Sequence, residues 1–295
     1  MMIPFEWAET VAAVVDAGSL DAAARRLRIT PSAVSQRIKA LENRLGRVVL
    51  LRTKPAQATP AGQAVVRLAR QLTLLQHDTL AEFDGDDGRR TSVALAVNAD
   101  SLSTWFLQPL AELSRRHPVV FDLHRDDQDF TAGLLESGTV MGAVTSRAAP
   151  VAGCRVNALG AMRYQAVASV EFARTWFPNG ADVAALVRAP VIEFDRKDNL
   201  QSVWLRGWGI DPELPPRNYV PSSSDFATAT ILGLGWALLP SFQAEPGVRA
   251  GTLVQLGGDP IDVPLHWQQW NLSSPRLDAI ADAIITEGRR VLRPL

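Results

Sequence analysis

Between Trp7 and Leu45, apolar residues recur three times at helical spacing, and each run is bounded by residues suited to helix ends. Trp7, Val11, Val14 and Val15 fall at i, i+4, i+7 and i+8, which predicts a helix with one apolar stripe. Asp16-Ala17-Gly18-Ser19 closes it, with Gly18 suited to a left-handed cap. Ala23, Ala24 and Leu27 face inward on a second helix, whose small residues let its neighbours approach closely. Thr30-Pro31 supplies the N-cap and first-turn preferences of a third, along which Val34, Ile38, Leu41 and Leu45 form the buried stripe. Gly46 to Pro55 then reads as a short strand running into a basic turn, and Gln57-Ala58-Thr59 as its return. Pro60 opens another helix, in which Val65, Leu68, Leu72 and Leu75 repeat with 3-4-3 spacing. No neighbouring segment is available to cover that stripe, so pairing with a second copy of the chain is expected. Asp84-Gly85-Asp86-Asp87-Gly88 ends the helix as a hinge.

From Thr91 the pattern changes to alternating strands and helices, which predicts βαβ units and mainly parallel sheets. Strands are expected at Val93–Val97, Val119–Leu123, Val140–Val144, Tyr164–Ala168, Val191–Phe194, Asn218–Val220 and Trp236–Leu239. Helices are expected through Trp105, Leu107 and Leu110, over Ser224–Leu232, and over Pro275–Leu292 at the end.

Two helices joined by a tight turn, Ser19 to Leu45, form a helix-turn-helix pattern whose second helix would lie in the DNA major groove. The plainer reading is a small helical bundle with a solvated basic face. Its apolar stripe leaves Ser32, Ser35, Gln36, Arg37 and Lys39 on the other sides, with Arg28 and Thr30 just before it. Short hydroxyl, amide and basic groups near a helix start can reach base edges or phosphates. Arg52 and Lys54 in the basic turn are candidates for phosphate contacts, which add affinity without reading sequence. Charge distribution favours the DNA reading. The whole chain is nearly neutral at −1, yet Leu20–Arg70 carries eleven Lys or Arg against two acids. From Thr91 onward there are 17 basic and 21 acidic residues, a basic head on an acidic body.

In open parallel sheets, ligands sit beyond the carboxyl ends of strands. Those ends here are rich in hydroxyls and carboxylates. Ser101 and Ser103, at an expected helix start, could hold an α-carboxylate, and Asp100, Asp126, Asp127 and Asp195 could hold cationic groups. Thr145 and Ser222-Ser223-Ser224 could close the site from opposite sides. Each of these alone is a routine turn or cap residue; the set is what points to a ligand that carries positive charge.

At 295 residues the chain is long enough for two or three domains, and 47% hydrophobic content suffices for folded cores. No run of about 18–20 apolar residues suggests a membrane span, and Met1–Glu6 lacks the pattern of a secretory leader. The single cysteine, Cys154, fits a reducing cytoplasm. His77, His117, His124 and His266 show no metal-ligand spacing, and Gly233-Leu234-Gly235 precedes a strand, so neither metal nor nucleotide is expected. No nucleophile motif supports catalysis, and no cofactor is implied.

Residues 3 to about 83 resemble the N-terminal region of LysR-type transcriptional regulators. The resemblance is carried by Ser19-Leu20-x-x-Ala23-Ala24-x-x-Leu27, Thr30-Pro31-Ser32-Ala33-Val34-Ser35-x-x-Ile38-x-x-Leu41-Glu42, and Leu45-Gly46…Arg52-Thr53…Thr59-x-Ala61-Gly62. Val49-Leu50 departs from the Leu-Phe of most members, and the wing is a residue shorter, with Pro55 inside it. That wing resembles the ArgP/LysG branch, as do Val97–Phe106, Asp126–Asp129, Gly142–Thr145, Pro221–Ser223 with Phe226, and His266–Trp270. The resemblance implies a winged helix-turn-helix over 1–59, a linker and dimerisation helix over 60–84, a hinge at 85–90 and an effector domain over 91–295. That domain would be α/β, with two Rossmann-like subdomains as in periplasmic binding proteins, one over about 91–162 and 268–295, the other over about 163–267. It further implies a cytoplasmic homodimer or homotetramer on promoter DNA, sensing lysine or arginine and controlling an amino-acid exporter gene. RNA polymerase is a further partner that such a role admits. A LysR-type regulator with another effector, an amino-acid enzyme or carrier, and a DNA binder with no ligand are the alternatives.

Overall fold

The computed structural model describes residues 2–51, 53–84, 90–125 and 131–295, with only the backbone of 81–84 and 131. Arg52, Asp126, Asp127 and most of the expected hinge lie outside the described residues.

Three helices, α1 (Phe5–Ala17), α2 (Leu20–Leu27) and α3 (Pro31–Leu45), pack around Val11, Val14, Ala23, Ala24, Val34 and Leu41, all essentially without solvent contact. Gly18 ends α1 with φ 71°, in the left-handed region that favours glycine. Ser19 caps α2, accepting from the Ala22 amide at 3.3 Å, and Thr30 caps α3, accepting from the Ala33 amide at 3.1 Å. Thr30→Ala removes that acceptor and is expected to cost about 1 kcal/mol, measured as a lower urea midpoint. Strands β1 (Leu50–Leu51) and β2 (Gln57–Ala58) pair antiparallel as the wing.

Helix α4 (Pro60–Asp84) buries one edge of its apolar surface within the chain and leaves most of the expected stripe half-buried. Val65, Val66 and Ala69 are buried in the core that α1 also contributes to, and Leu74 enters the core of the C-terminal part. Leu68, Leu72 and Leu75 are half-buried and Leu80 is exposed. Polar anchors then hold α4 along its length. Arg67 donates to the Glu136 carbonyl at 2.8 Å, and Arg70 donates to both the Gly138 carbonyl and the Asp16 carboxylate. Further along, Arg276 pairs with Asp78 at 3.3 Å.

The C-terminal part begins with β3 (Thr91–Val97), α5 (Ala99–Thr104), α6 (Leu107–Arg116), β4 (Val119–Arg125), α7 (Thr131–Glu136) and β5 (Gly142–Thr145). It continues through β6 (Cys154–Ser169), α8 (Val170–Trp176), α9 (Val183–Arg188), β7 (Val191–Glu193), α10 (Leu200–Gly207) and β8 (Arg217–Tyr219). The chain ends with α11 (Ser223–Ile231), β9 (Ala237–Pro240), α12 (Ser241–Arg249), β10 (Leu253–Gln255), β11 (Ile261–Trp270) and α13 (Pro275–Val291).

One sheet runs β10-β6-β11-β5-β3-β4, with β9 also on β6, and β7 pairs β8 separately. Among the described strands, β3 pairs parallel with β4 and β5, and β7 with β8; the other strand pairs are antiparallel, contrary to the mainly parallel expectation. The cause is the 16-residue β6, of which the expected Tyr164–Ala168 is only the last third. It pairs with β11 from Cys154↔Trp270 to Ile261↔Tyr164, so the two strands cross between two lobes. One lobe is built on β3–β5; the other is built on β7–β10. No described helix is long and apolar enough to cross a membrane.

Candidate effector cleft and nucleic-acid interface

Between the lobes lies a cavity of about 490 Å³. Its walls come from the segment after β3 (Asn98, Ala99, Asp100), the segment after β7 (Phe194, Asp195, Lys197, Asp198, Asn199) and the start of α10 (Leu200, Gln201). Tyr164 of β6, Phe226 of α11, Leu238 of β9 and Val263 of β11 supply the apolar floor, while Arg125 and Ser146 stand at the rim strands' ends. Carboxylates in a half-open, half-apolar cleft suit a small molecule that carries positive charge.

Asp100 organises the closed side. Its carboxylate accepts from Tyr164 Oη at 2.7 Å and from Ser223 Oγ at 2.6 Å, tying α5 to β6 and α11. Ser103 donates to Ser223 Oγ at 2.8 Å, and Gln243 Nε2 does so at 3.1 Å. Burial pushes the Asp100 carboxyl above its ordinary range, and the Ser223 and Tyr164 hydrogen bonds oppose that shift. Asp198 is raised to about 6, chiefly by burial. The amides of Leu200 (3.0 Å) and Phe194 (3.4 Å) stabilise its charge, whereas Asp100 and Glu193 add repulsion.

Of the residues singled out from sequence, Asp100 and Asp195 line the cavity. Asp195 Oδ1 is also engaged locally, accepting from the Lys197 and Asp198 amides at 2.7 and 3.0 Å. Ser103 and Ser223 join the Asp100 network behind the lining, and Ser222 precedes α11, half-buried. Ser101 and Thr145 are fully buried and do not line the cavity; Thr145 Oγ1 accepts from the Arg147 amide at 3.1 Å. The expected helix through Trp105 breaks there, leaving α5 only six residues long. So short a helix sums little dipole, which removes the argument for a carboxylate at Ser101 and Ser103. Trp204 is core, its ring centroid 5.0 Å from that of buried Trp236. Tyr164, Asp198, Gln201 and Asn98 escaped the sequence reading. Only position after a strand could have flagged Asp198 and Asn98; Tyr164 and Gln201 carry no local signal.

On the basic head, Ser32, Gln36 and Lys39 are exposed at i, i+4 and i+7 of α3, and exposed Asn43 extends that stripe to i+11. Val34, Ile38 and Leu41 occupy the opposite, buried face. Ser35 is half-buried. Arg37 is turned toward α1, donating to Thr10 Oγ1 at 3.3 Å, so it sits on the flank rather than the open face. Thr30's hydroxyl is used as the cap. Exposed Arg28 ends α2 with φ 56°, and Lys54 is exposed in the wing turn. A polar and basic helix face, opened by a capped N-terminus beside a basic wing, has the form of a groove-reading element.

Comparison with known proteins agrees with both parts. Residues 5–63 match the model of the bacterial regulatory helix-turn-helix protein, lysR family, and residues 86–288 that of the LysR substrate binding domain. The chain is 42% identical over 289 residues to the lysine export transcriptional regulatory protein LysG of Corynebacterium glutamicum, covering 97% of this chain and 98% of that one. The crystal structure of ArgP from Mycobacterium tuberculosis superposes with a TM-score of 0.90 at 40% identity, with full coverage of both chains. Full-length LysG from Corynebacterium glutamicum with bound effector Arg gives a TM-score of 0.81 at 39% identity, covering 99% of this chain and 100% of that one. The chain therefore belongs to the LysR family of transcriptional regulators, in its LysG/ArgP branch, and is not an enzyme.

Proposed function

We propose that this regulator binds a basic amino acid, lysine or arginine, in the cleft between its lobes and thereby resets how paired reading heads sit on promoter DNA. The observation that carries this reading is the acid-lined cavity of about 490 Å³ containing Asp100, Asp195 and Asp198. Its volume suits a single amino acid, and its carboxylates suit a ligand with two cationic groups. The bound effector Arg of the Corynebacterium glutamicum structure supports the same ligand class. The relative's name, a lysine export regulator, supports an amino-acid exporter gene as the target; in this reading the gene is switched on when the amino acid accumulates.

In this reading residues 1–59 form the winged head and 60–84 the linker helix. Residues 85–90 are the hinge and 91–295 the sensor, with the chain acting as a dimer or tetramer in the cytoplasm. Ser32, Gln36 and Lys39 contact bases or phosphates, with Arg28, Lys54 and the wing adding backbone contacts. Ligand need only favour one of two assembled geometries that bend DNA differently; it need not change affinity for the core site. Calorimetric titration of the full chain with arginine, lysine and neutral amino acids, with and without its own upstream DNA, tests the proposal. Saturable binding of arginine or lysine but not neutral amino acids is expected; binding of none of them, or equal binding of all, overturns it.

A further inference from the structure

Helix α4 passes from one core to another along its length. Val65, Val66 and Ala69 belong to the core of the head, whereas Leu74 enters the core of the sensor. At the crossing stands Arg70, its side chain 18% exposed, which donates to the Asp16 carboxylate of α1 and to the Gly138 carbonyl of the β3–β5 lobe. One guanidinium thus ties three parts of the chain. Asp16 is poorly placed for α1 alone, because the helix dipole disfavours an acid in the last turn. Arg70 and, at 3.2 Å, Arg26 offset that cost.

The lobe meets this arginine with a rigid turn. Gly138 closes α7 as a left-handed cap with φ 71°. Its amide donates to the Leu135 carbonyl at 3.0 Å, and the Thr139 amide to that of Leu134 at 2.8 Å. A Cβ at Gly138 would lie 2.6 Å from Arg67 Cβ and 2.7 Å from Arg67 Cα, so glycine is what lets α4 approach so closely. Clefts of about 620 and 250 Å³ flank the contact, and Arg70 and Thr139 line both. Polar bonds, rather than continuous apolar packing, therefore hold the junction. The chain on either side of this turn leads to the effector cleft. Strands β3, β4 and β5 run parallel, so α7 crosses from the cleft side of the sheet to the head side. Arg125 at the end of β4 and Ser146 just after β5 both line the cleft.

We infer that the α7 cap, Arg70 and Asp16 form a latch that passes a movement at the cleft rim to the reading head. The inference rests on the reading that the cleft controls the head, and it names the contact that carries the control. The far end of α4 is fixed to the sensor, with Asp78 held by Arg276 and Ser274, so a shift of α7 acts on the end nearer the head.

The test measures the bend of operator DNA under full-length wild type, Asp16→Ala and Gly138→Ala, by energy transfer between dyes at the duplex ends, without and with saturating arginine. Calorimetry gives the arginine affinity of each protein. D16A cuts the head side of the latch and removes an acid that the helix dipole disfavours, so α1 should stay folded. The wild type should show an arginine-dependent change in distance. Both variants should keep arginine affinity within about tenfold of the wild type and lose more than about half of that change. If G138A does not fold, D16A decides alone. A change retained by more than half in either folded variant overturns the latch and leaves the effector reading standing. A larger loss of arginine affinity in D16A does the same, since it assigns Asp16 to the integrity of the cleft. A wild type whose DNA bend ignores arginine overturns both.

Discussion

Arg217→Met is expected to destabilise the second lobe by about 3–5 kcal/mol, the loss typical of removing one member of a buried ion pair. Arg217 Nε donates to Glu193 at 2.9 Å, and the two side chains are only 13% and 6% exposed. The same guanidinium donates to the Pro212 carbonyl, so it also organises the turn before β8. Removing it strands a carboxylate inside the lobe, where desolvation is uncompensated. Glu193 is the last residue of β7 and adjoins the Phe194–Asn199 wall of the cleft, so effector affinity should fall with stability. Urea unfolding of the single variant and of Arg217→Met/Glu193→Leu measures the effect. The double variant should recover most of the loss, because burying neither charge can be nearly neutral. A single-variant cost below about 1 kcal/mol would show that solvent reaches this pair.

On DNA, Gln36→Ala should lose about 1–3 kcal/mol on the chain's own operator while changing binding to unrelated duplex little. Gln36 is exposed one turn after Ser32 on the open face of α3, where an amide can make paired contacts with a base edge. Lys39→Ala should instead weaken both kinds of duplex alike and reduce the salt slope by about one. Fluorescence anisotropy across a salt series separates the two. Identical behaviour of the two variants would mean that α3 holds phosphates only.

The head was the most legible part of the chain, since its signals are local. Gly18 and Thr30-Pro31 mark helix ends through backbone preferences that need no tertiary context, and both act as expected, whereas Gly46, read as the start of the wing strand, instead caps α3 with φ 64°. The linker stripe was legible only in part, since Val65 packs into the core that α1 builds some fifty residues earlier, while Leu68, Leu72 and Leu75 stay half-buried. Strand β6 was truncated because the run Ala158-Leu159-Gly160-Ala161-Met162 interrupts the alternation that defines a half-buried strand. Buried Gln268 reads as surface in sequence, yet its side chain is satisfied by Val151, Arg147 and Ala149 from a loop far away in the chain. The cleft was half legible. Asp100 and Asp195 follow strands and were found by that rule, whereas Asp198 and Gln201 acquire meaning only from the burial that folding gives them.

The bend of operator DNA under the full-length protein, read by energy transfer between dyes at the duplex ends, tests most directly whether the cleft controls the head. With protein saturating the duplex, added arginine should shift the end-to-end distance to a new plateau, while citrulline at the same concentration leaves it in place. If arginine occupies the cleft by calorimetry and the distance stays the same, sensing is not transmitted to DNA in the way set out above.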